Sequence, residues 1–522
     1  MRSRVRLEAA AAAVLTFALS LLAGCGAPGT DVRAPTADTG GDVSDTAPMG
    51  PPPPPPLASP PESGLAPDGL LPEVLDDSLS NGLRLRTVQR AGLPLVQLEL
   101  VVLSGTETDR EDRGVSRLTA GLLKDGGAGP WTSRQLVEHA ESLGASLDIS
   151  AEFDRTVLSL AVTTQHLAAA MDVLAALARR PRFDGAEFLK LKEREIERVS
   201  SLAKTSGTWG AKMVLYRELY ELPTGAHPYA AYDSTPDAIR QLQLMDSRQW
   251  HAAHFVPENA VLVAAGAVSR EEIRAEAERA FGTWKGAAPE PVGYPTPLPP
   301  RSLEIHVVDR PGSQQSEVHV GLLGPARHSE DWVELEVANQ LLGGGVAGRL
   351  FLDVREKRSL AYRTGSAVQE LAHGPVSIFL SAGTRTERAP EALSALLEHI
   401  DRLRTEAASP VETELATRYL ADGFLVRTET IGALAALATK IVVLGLPLDY
   451  HDQFRASVRQ VSREALQRTA RRYFARDKAV AVVAGDAARL VAPLSRIAPV
   501  AVVDPREGFT IERRVPYGPV GE

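Results

Sequence analysis

Cysteine is almost missing from this chain. Its 522 residues contain one, Cys25, so no disulfide can form within it. Charge of one sign is not in great excess either: the formal net charge is -9, mild for this length. That balance argues against nucleic acid as a partner and against a basic face that would bind anionic lipid. The apolar stretch at the N-terminus, residues 9 to 23, is too short to span a bilayer as a mature helix. What the chain does have is 44% hydrophobic residues, ample for large cores, and a length that implies two or more domains.

The single cysteine closes a patterned leader. Arg2, Arg4 and Arg6 precede the apolar stretch, which ends in Leu22-Ala23-Gly24-Cys25. This resembles a bacterial lipobox, with cleavage before Cys25 and lipidation of its thiol. Several acyl chains on one residue give stable anchoring where one does not. Gly26 is not an aspartate, so the common inner-membrane retention signal is not matched. The expectation is an outer-membrane lipoprotein facing the periplasm, with a signal peptide over 1–24. Residues 25–70, rich in Pro, Gly, Asp, Ser and Thr and including Pro51 to Pro56, read as a disordered tether.

A second Pro-rich stretch, within 289–302, divides the remainder into halves of similar size, 71–288 and 303–500, with 501–522 read as a C-terminal tail. The halves look like repeats. "FVPENAVLVAAG" from Phe255 and "FARDKAVAVVAG" from Phe474 share a helix end, a turn and a buried strand, 219 residues apart. The same offset relates Gly105 to Gly324, each closing a strand, and Leu122-Leu123 to Leu341-Leu342. Three matches at one offset argue for duplication. "NGLRLRTVQ", "ASLDISAEF" and "RTVLSLAV" alternate as strands do, and "GAEFLKLKEREIERVSSLAK" reads as a charged helix. Strand pairs followed by runs of helices give an α+β class.

Several stretches carry a family resemblance. "LSNGLRLRTVQRAGLPLVQLELVVLSGTETDREDRGVSRLTAGLL", "TSRQLVEHAESLGASLDISAEFDRTVLSL", "HPYAAYDST", "HFVPENAVLVAAG" and "ANQLLGGGVAGRLFLDVREKRSLAYRTGS" resemble the M16 (pitrilysin or insulinase-like) metallopeptidases, in particular the mitochondrial-processing-peptidase-like branch. The resemblance covers about residues 76 to 490. It implies two homologous M16-type (LuxS/MPP-like) domains, each an antiparallel-rich sheet packed with helices. It also implies a chamber, made by facing units, that encloses short unfolded peptides.

Active members carry H-x-x-E-H on the first long helix: two histidines on one face bind zinc, and the glutamate activates water. The family pattern falls on Gly114 to Gly121. Arg117 and Gly121 stand at the histidine positions and Ala120 at the glutamate. Arginine stays protonated, and Ala and Gly have no ligand atoms, so these positions are degenerate. The distal glutamate position falls near Ser200 or Ser201, with Glu193, Glu195 and Glu197 close enough to leave the register open. "QLVEH", ending at His139, and "ALLEH", ending at His399, each lack the first histidine. His251 and His254 are one turn apart but want a third ligand, and His227 in "HPY" reads as structural.

The family's Arg/Tyr pair, which reaches substrate from the C-terminal domain, corresponds to Arg355 and Tyr362, with Ser359 where the family has glycine. A guanidinium and a phenol can supply donors to a carbonyl oxygen that becomes an oxyanion. The glycine-rich loop that includes Gly343, Gly344 and Gly345 follows a helix-like stretch, so it is not a dinucleotide loop; bare backbone there can approach a substrate chain. The resemblance implies a non-catalytic subunit that binds no cofactor itself. Zinc is expected in a partner M16 subunit carrying H-x-x-E-H. The alternatives are a scaffold with no proteolytic role, or a zinc endopeptidase whose site is not apparent in the pattern.

Overall fold

The computed structural model describes residues 71–109, 114–506 and 508–518. All lie in the larger of the chain's two units, Leu65–Glu522. Cys25, the leader and the tether lie outside the described residues.

The first half runs β1 (Val74–Ser78), β2 (Arg84–Gln89), β3 (Leu95–Val102), α1 (Val115–Asp125), α2 (Ser133–Ser142), β4 (Leu147–Ala151) and β5 (Thr156–Thr163). It continues with α3 (Leu167–Arg179), α4 (Gly185–Thr205), α5 (Gly207–Leu219), α6 (Pro236–Gln241), α7 (Leu244–His254), β6 (Ala260–Gly266) and α8 (Arg270–Phe281). The second half runs β7 (Glu304–Asp309), β8 (Gln315–Ala326), α9 (Trp332–Leu342), a π-helical segment (Phe351–Lys357), β9 (Arg363–Gln369) and β10 (Pro375–Arg385). It continues with α10 (Ala389–Thr405), α11 (Pro410–Arg427), α12 (Ile431–Val443), α13 (Tyr450–Arg459), α14 (Arg463–Tyr473), β11 (Val480–Gly485), α15 (Ala487–Leu494), β12 (Val500–Asp504) and β13 (Thr510–Val515).

The two sheets repeat one plan. The order β2-β6-β3-β5-β4 in one answers β7-β11-β8-β10-β9 in the other, with β2 and β6, and β7 and β11, parallel and the rest of this core antiparallel. Helix α7 and helix α14 begin 219 residues apart, at Leu244 and Arg463. Two expectations are corrected. Residues 501–522 are not simply a tail: Val500–Asp504 pairs in parallel with β7, and Thr510–Val515 pairs with it in turn. A run of five buried residues, Val-Ala-Val-Val-Asp, is what a central strand requires. Gly324 does not close its strand, because β8 continues to Ala326.

Both faces of each sheet are covered, so β6 and β11 are buried at every residue. Alternation sorts their side chains. Leu262 and Ala264 face the core built with α1, α3, α7 and α8. Val261, Val263 and Ala265, with Val88 and Val101, face Leu434, Ala435, Ala438 and Val442 of α12. The reverse holds in the other sheet: Val480, Val482 and Ala484 of β11 pack with Ala211, Val214, Leu215 and Leu219 of α5. Each half therefore lends one helix to the other's sheet. Polar bonds join the same seam. The Thr439 hydroxyl donates to buried Glu99 at 2.6 Å, and the Tyr220 hydroxyl donates to the Pro375 carbonyl at 2.9 Å. The scarce aromatic residues gather there too. The Phe153, Tyr216, Tyr220, Tyr229 and Phe379 rings are in contact, and Tyr294 of the Pro-rich linker stacks on His373 at 4.1 Å between centroids.

Candidate functional site

Helix α1 begins after Gly114 and buries Leu118, Leu122 and Leu123, as the apolar spacing requires. Its opposite side meets α4 and the loop before α6. There Arg117 pairs with Asp233 and donates to the Tyr232 carbonyl at 3.1 Å. Arg198, from α4, reaches both oxygens of the same carboxylate at 3.1 Å, and the Trp209 indole N–H donates to it at 2.8 Å. Asp233 is only 3% exposed at its side chain. Burial pushes its carboxyl up, but Arg117 and Arg198 outweigh burial and hold it below the usual range. Arg198 in turn binds Glu195 at 2.6 Å. The cluster is thus a buried carboxylate gripped by two guanidiniums.

These residues do not fit zinc. Arg117 offers a cation where a ligand would stand, and Ala120 is buried without a donor atom. At Gly121 a Cβ would come within 3.0 Å of the Leu191 side chain of α4, so a larger residue at the second ligand position would have to push that leucine aside. Leu191 and Arg194 of α4 meet α1 at Gly121 and Asp125, and Arg198 is joined to Arg117 through their shared Asp233. Ser200 and Ser201 lie two to three residues further on, about half a turn or more past Arg198; Glu195 is the nearby acid that enters the network. Nothing local in the sequence ties Asp233 to Arg117, 116 residues away. Its presence in "HPYAAYDST" was the available signal.

The histidines singled out in the sequence each have a neighbour in the fold. His139 stacks on Trp131 at 4.7 Å and Glu138 pairs with Arg134. His251 stacks on Phe255 at 4.3 Å, and His254 shares a hydrogen bond with Ser104 at 2.9 Å. His399 bonds Asp353 at 2.8 Å. His227 is buried, its Nδ1 accepts the Tyr229 N–H at 3.0 Å, and burial pulls its pKa down to about 4. Among the described residues no group of three or more His, Cys, Asp or Glu is placed to hold a metal ion.

In the second half the helical path widens after the glycine-rich loop. The Arg358 N–H donates to the Asp353 carbonyl five residues back, a π-type bond often found at functional sites. This segment carries Arg355, 45% exposed, its guanidinium 4.7 Å from the Phe351 ring centroid and 3.5 Å from Glu356. Ser359 has φ +49°, the left-handed region that glycine tolerates best, so replacing the family's glycine leaves strain there. Tyr362 is 53% exposed and donates to Glu317 at 3.3 Å. Arg355 and Tyr362 are therefore both at the surface, held by different partners. Of the three loop glycines, Gly343 is buried, and its bare backbone is used within the fold: a Cβ there would lie 2.7 Å from the Ser366 nitrogen. Gly344 and Gly345 are half-buried.

Comparisons with known proteins find matches in both halves. The model described as "Insulinase (Peptidase family M16)" matches residues 87–210, and that described as "Peptidase M16 inactive domain" matches 241–420. An uncharacterized zinc protease of Streptomyces coelicolor is 30% identical over 208 residues, 38% of this chain and 44% of that protein, so the chain spans less than half its length. An uncharacterized zinc protease of Bacillus subtilis is 22% identical over 67% of this chain and 84% of its own. The crystal structure of a peptidase M16 inactive domain from Pseudomonas fluorescens superposes with a TM-score of 0.73 over 79% of this chain and 98% of its own, at 24% identity.

Proposed function

We propose that this chain, which belongs to the M16 insulinase-type peptidase family, is the non-catalytic member of a two-chain zinc peptidase. The observation that carries this reading is the contrast between its halves. Where active relatives bind metal, Arg117, Asp233 and Arg198 form a closed ionic cluster. In the other half Arg355 and Tyr362 stay at the surface, and Gly344 and Gly345 are half-buried. A planar guanidinium on a fixed segment suits a peptide carbonyl. The partner is an M16 chain carrying H-x-x-E-H, which holds the zinc; the substrate is an unfolded peptide enclosed between them. Lipidation of Cys25 anchors the complex at the outer membrane, facing the periplasm.

The test is peptide cleavage by this chain alone, by an H-x-x-E-H chain from the same organism, and by the two together. Alone, this chain should hold no stoichiometric zinc and cleave nothing. In the complex, Arg355→Ala should lower kcat by about 10²–10³ and Tyr362→Phe should slow cleavage as well, with assembly intact in both, and Arg355→Lys should rescue only in part. Unchanged rates for both variants would favour the scaffold reading. Stoichiometric zinc in the lone chain, with cleavage abolished by a chelator, would make it an enzyme in its own right. Anchoring has its own check: Cys25→Ala should release the protein from membranes or leave its precursor uncut, and a variant processed and fractionating like the wild type refutes the anchor.

A further inference from the structure

Three residues line up across the second sheet. In register, Glu317 of β8 faces Gly383 of β10, and Gly383 faces Arg363 of β9. The middle position has no side chain, so Arg363 reaches over it and its Nη2 grips both oxygens of Glu317, at 3.0 and 2.9 Å. The Tyr362 ring fills the same gap: a Cβ on Gly383 would come within 2.8 Å of its Cζ and Oη atoms. Its hydroxyl donates to Glu317 Oε1 at 3.3 Å. Arg310, and the start of α5 at Gly207, complete the surroundings of the carboxylate.

A phenol has one proton to give and can still accept. A carboxylate is a stronger acceptor than an amide carbonyl. We propose that Glu317 is a positioning residue for Tyr362: it accepts the phenol's hydrogen bond, holds the ring across Gly383, and leaves the phenol oxygen free to accept from a peptide N–H of the substrate. This rests on the reading of Arg355 and Tyr362 as the substrate-contacting pair. It divides their labour, with Arg355 donating to a carbonyl and Tyr362 accepting from an amide. An extended backbone offers both groups whatever its side chains, so such a pair engages unfolded peptides with little regard to sequence.

The contact is testable on the purified chain. The phenolate absorbance of the wild type minus that of Tyr362→Phe isolates the Tyr362 titration, which burial and the Glu317 charge raise above its ordinary value. Glu317→Gln should bring it down toward about 10. Gly383→Ala, which displaces the ring from the gap, should do the same. An unmoved titration in both variants overturns the positioning role. In the complex, N-methylating the contacted amide of a peptide substrate should slow cleavage by the wild type but add nothing to the loss in Tyr362→Phe. Additive losses at every amide overturn the acceptor assignment. If Tyr362→Phe leaves cleavage unchanged altogether, the substrate-contact reading fails, while the titration still decides whether Glu317 holds the phenol.

Discussion

Asp233→Ala should cost about 3–5 kcal/mol of stability, the range for breaking a buried ion pair from one side. The carboxylate is 3% exposed, while Arg117 and Arg198 are 30% and 31% exposed at their side chains. Water can reach the guanidiniums in part, which places the loss toward the lower figure. The substitution strands the Arg117 charge, the Trp209 N–H and the Ser234 N–H, and leaves Arg198 with Glu195 alone. Asp233→Asn keeps the shape and loses the charge, and should fall between. The pH dependence has a definite sign. Asp233 is held below its unfolded pKa, so its contribution is present above about 3.9 and is lost as pH falls through the folded value. Denaturant unfolding of wild type and variant should differ most near neutrality and converge in acid. A constant difference across that window would mean that the charge is not what stabilises the loop.

A chain stopped after Ala288 should show no cooperative unfolding transition at all. The cut removes α12 and exposes Val88, Val101, Val261 and Val263 on the outer face of the first sheet. At about 1.5–3 kcal/mol for each valine buried, the loss is about 6–12 kcal/mol, comparable with the whole stability of a domain. It also leaves α5 without the sheet that it covers. Co-expressing residues 289–522 as a separate chain should restore solubility and a single transition. A soluble first half that melts cooperatively by itself would show that the borrowed helix is dispensable. A milder version is Ala438→Asp, which sets an unpaired carboxylate against that face.

Local pattern told much of this fold in advance. Alternation marks β2, β4 and β5, and the charged run from Gly185 is α4 in full. The repeat was visible because both copies keep their turns. What pattern cannot tell is whose sheet a helix covers. The apolar sides of α5 and α12 look the same in sequence whether they pack at home or across the seam. Residues 501–522 read as a tail because they follow the repeated unit, although Val500–Asp504 has the composition of an interior strand. At the site, the loss of the ligands was legible residue by residue. Their replacement was not, because Asp233, Arg198 and Arg117 come from three separate segments. The bond from Tyr362 to Glu317 spans 45 residues and depends on a register that only the sheet defines.

The helix exchange also sets a schedule. Chains are made from the N-terminus, and the first sheet has all its strands once Gly266 has appeared. The helix that covers its outer face starts at Ile431, 165 residues later. At about 5–20 residues per second, the valine face waits some ten to thirty seconds before its cover exists. During that interval the nascent chain shows a sheet surface made for contact and has nothing of its own to place there. The final docking of α12 is therefore a late, long-range event, and any factor that attends this protein during its synthesis has that face to hold.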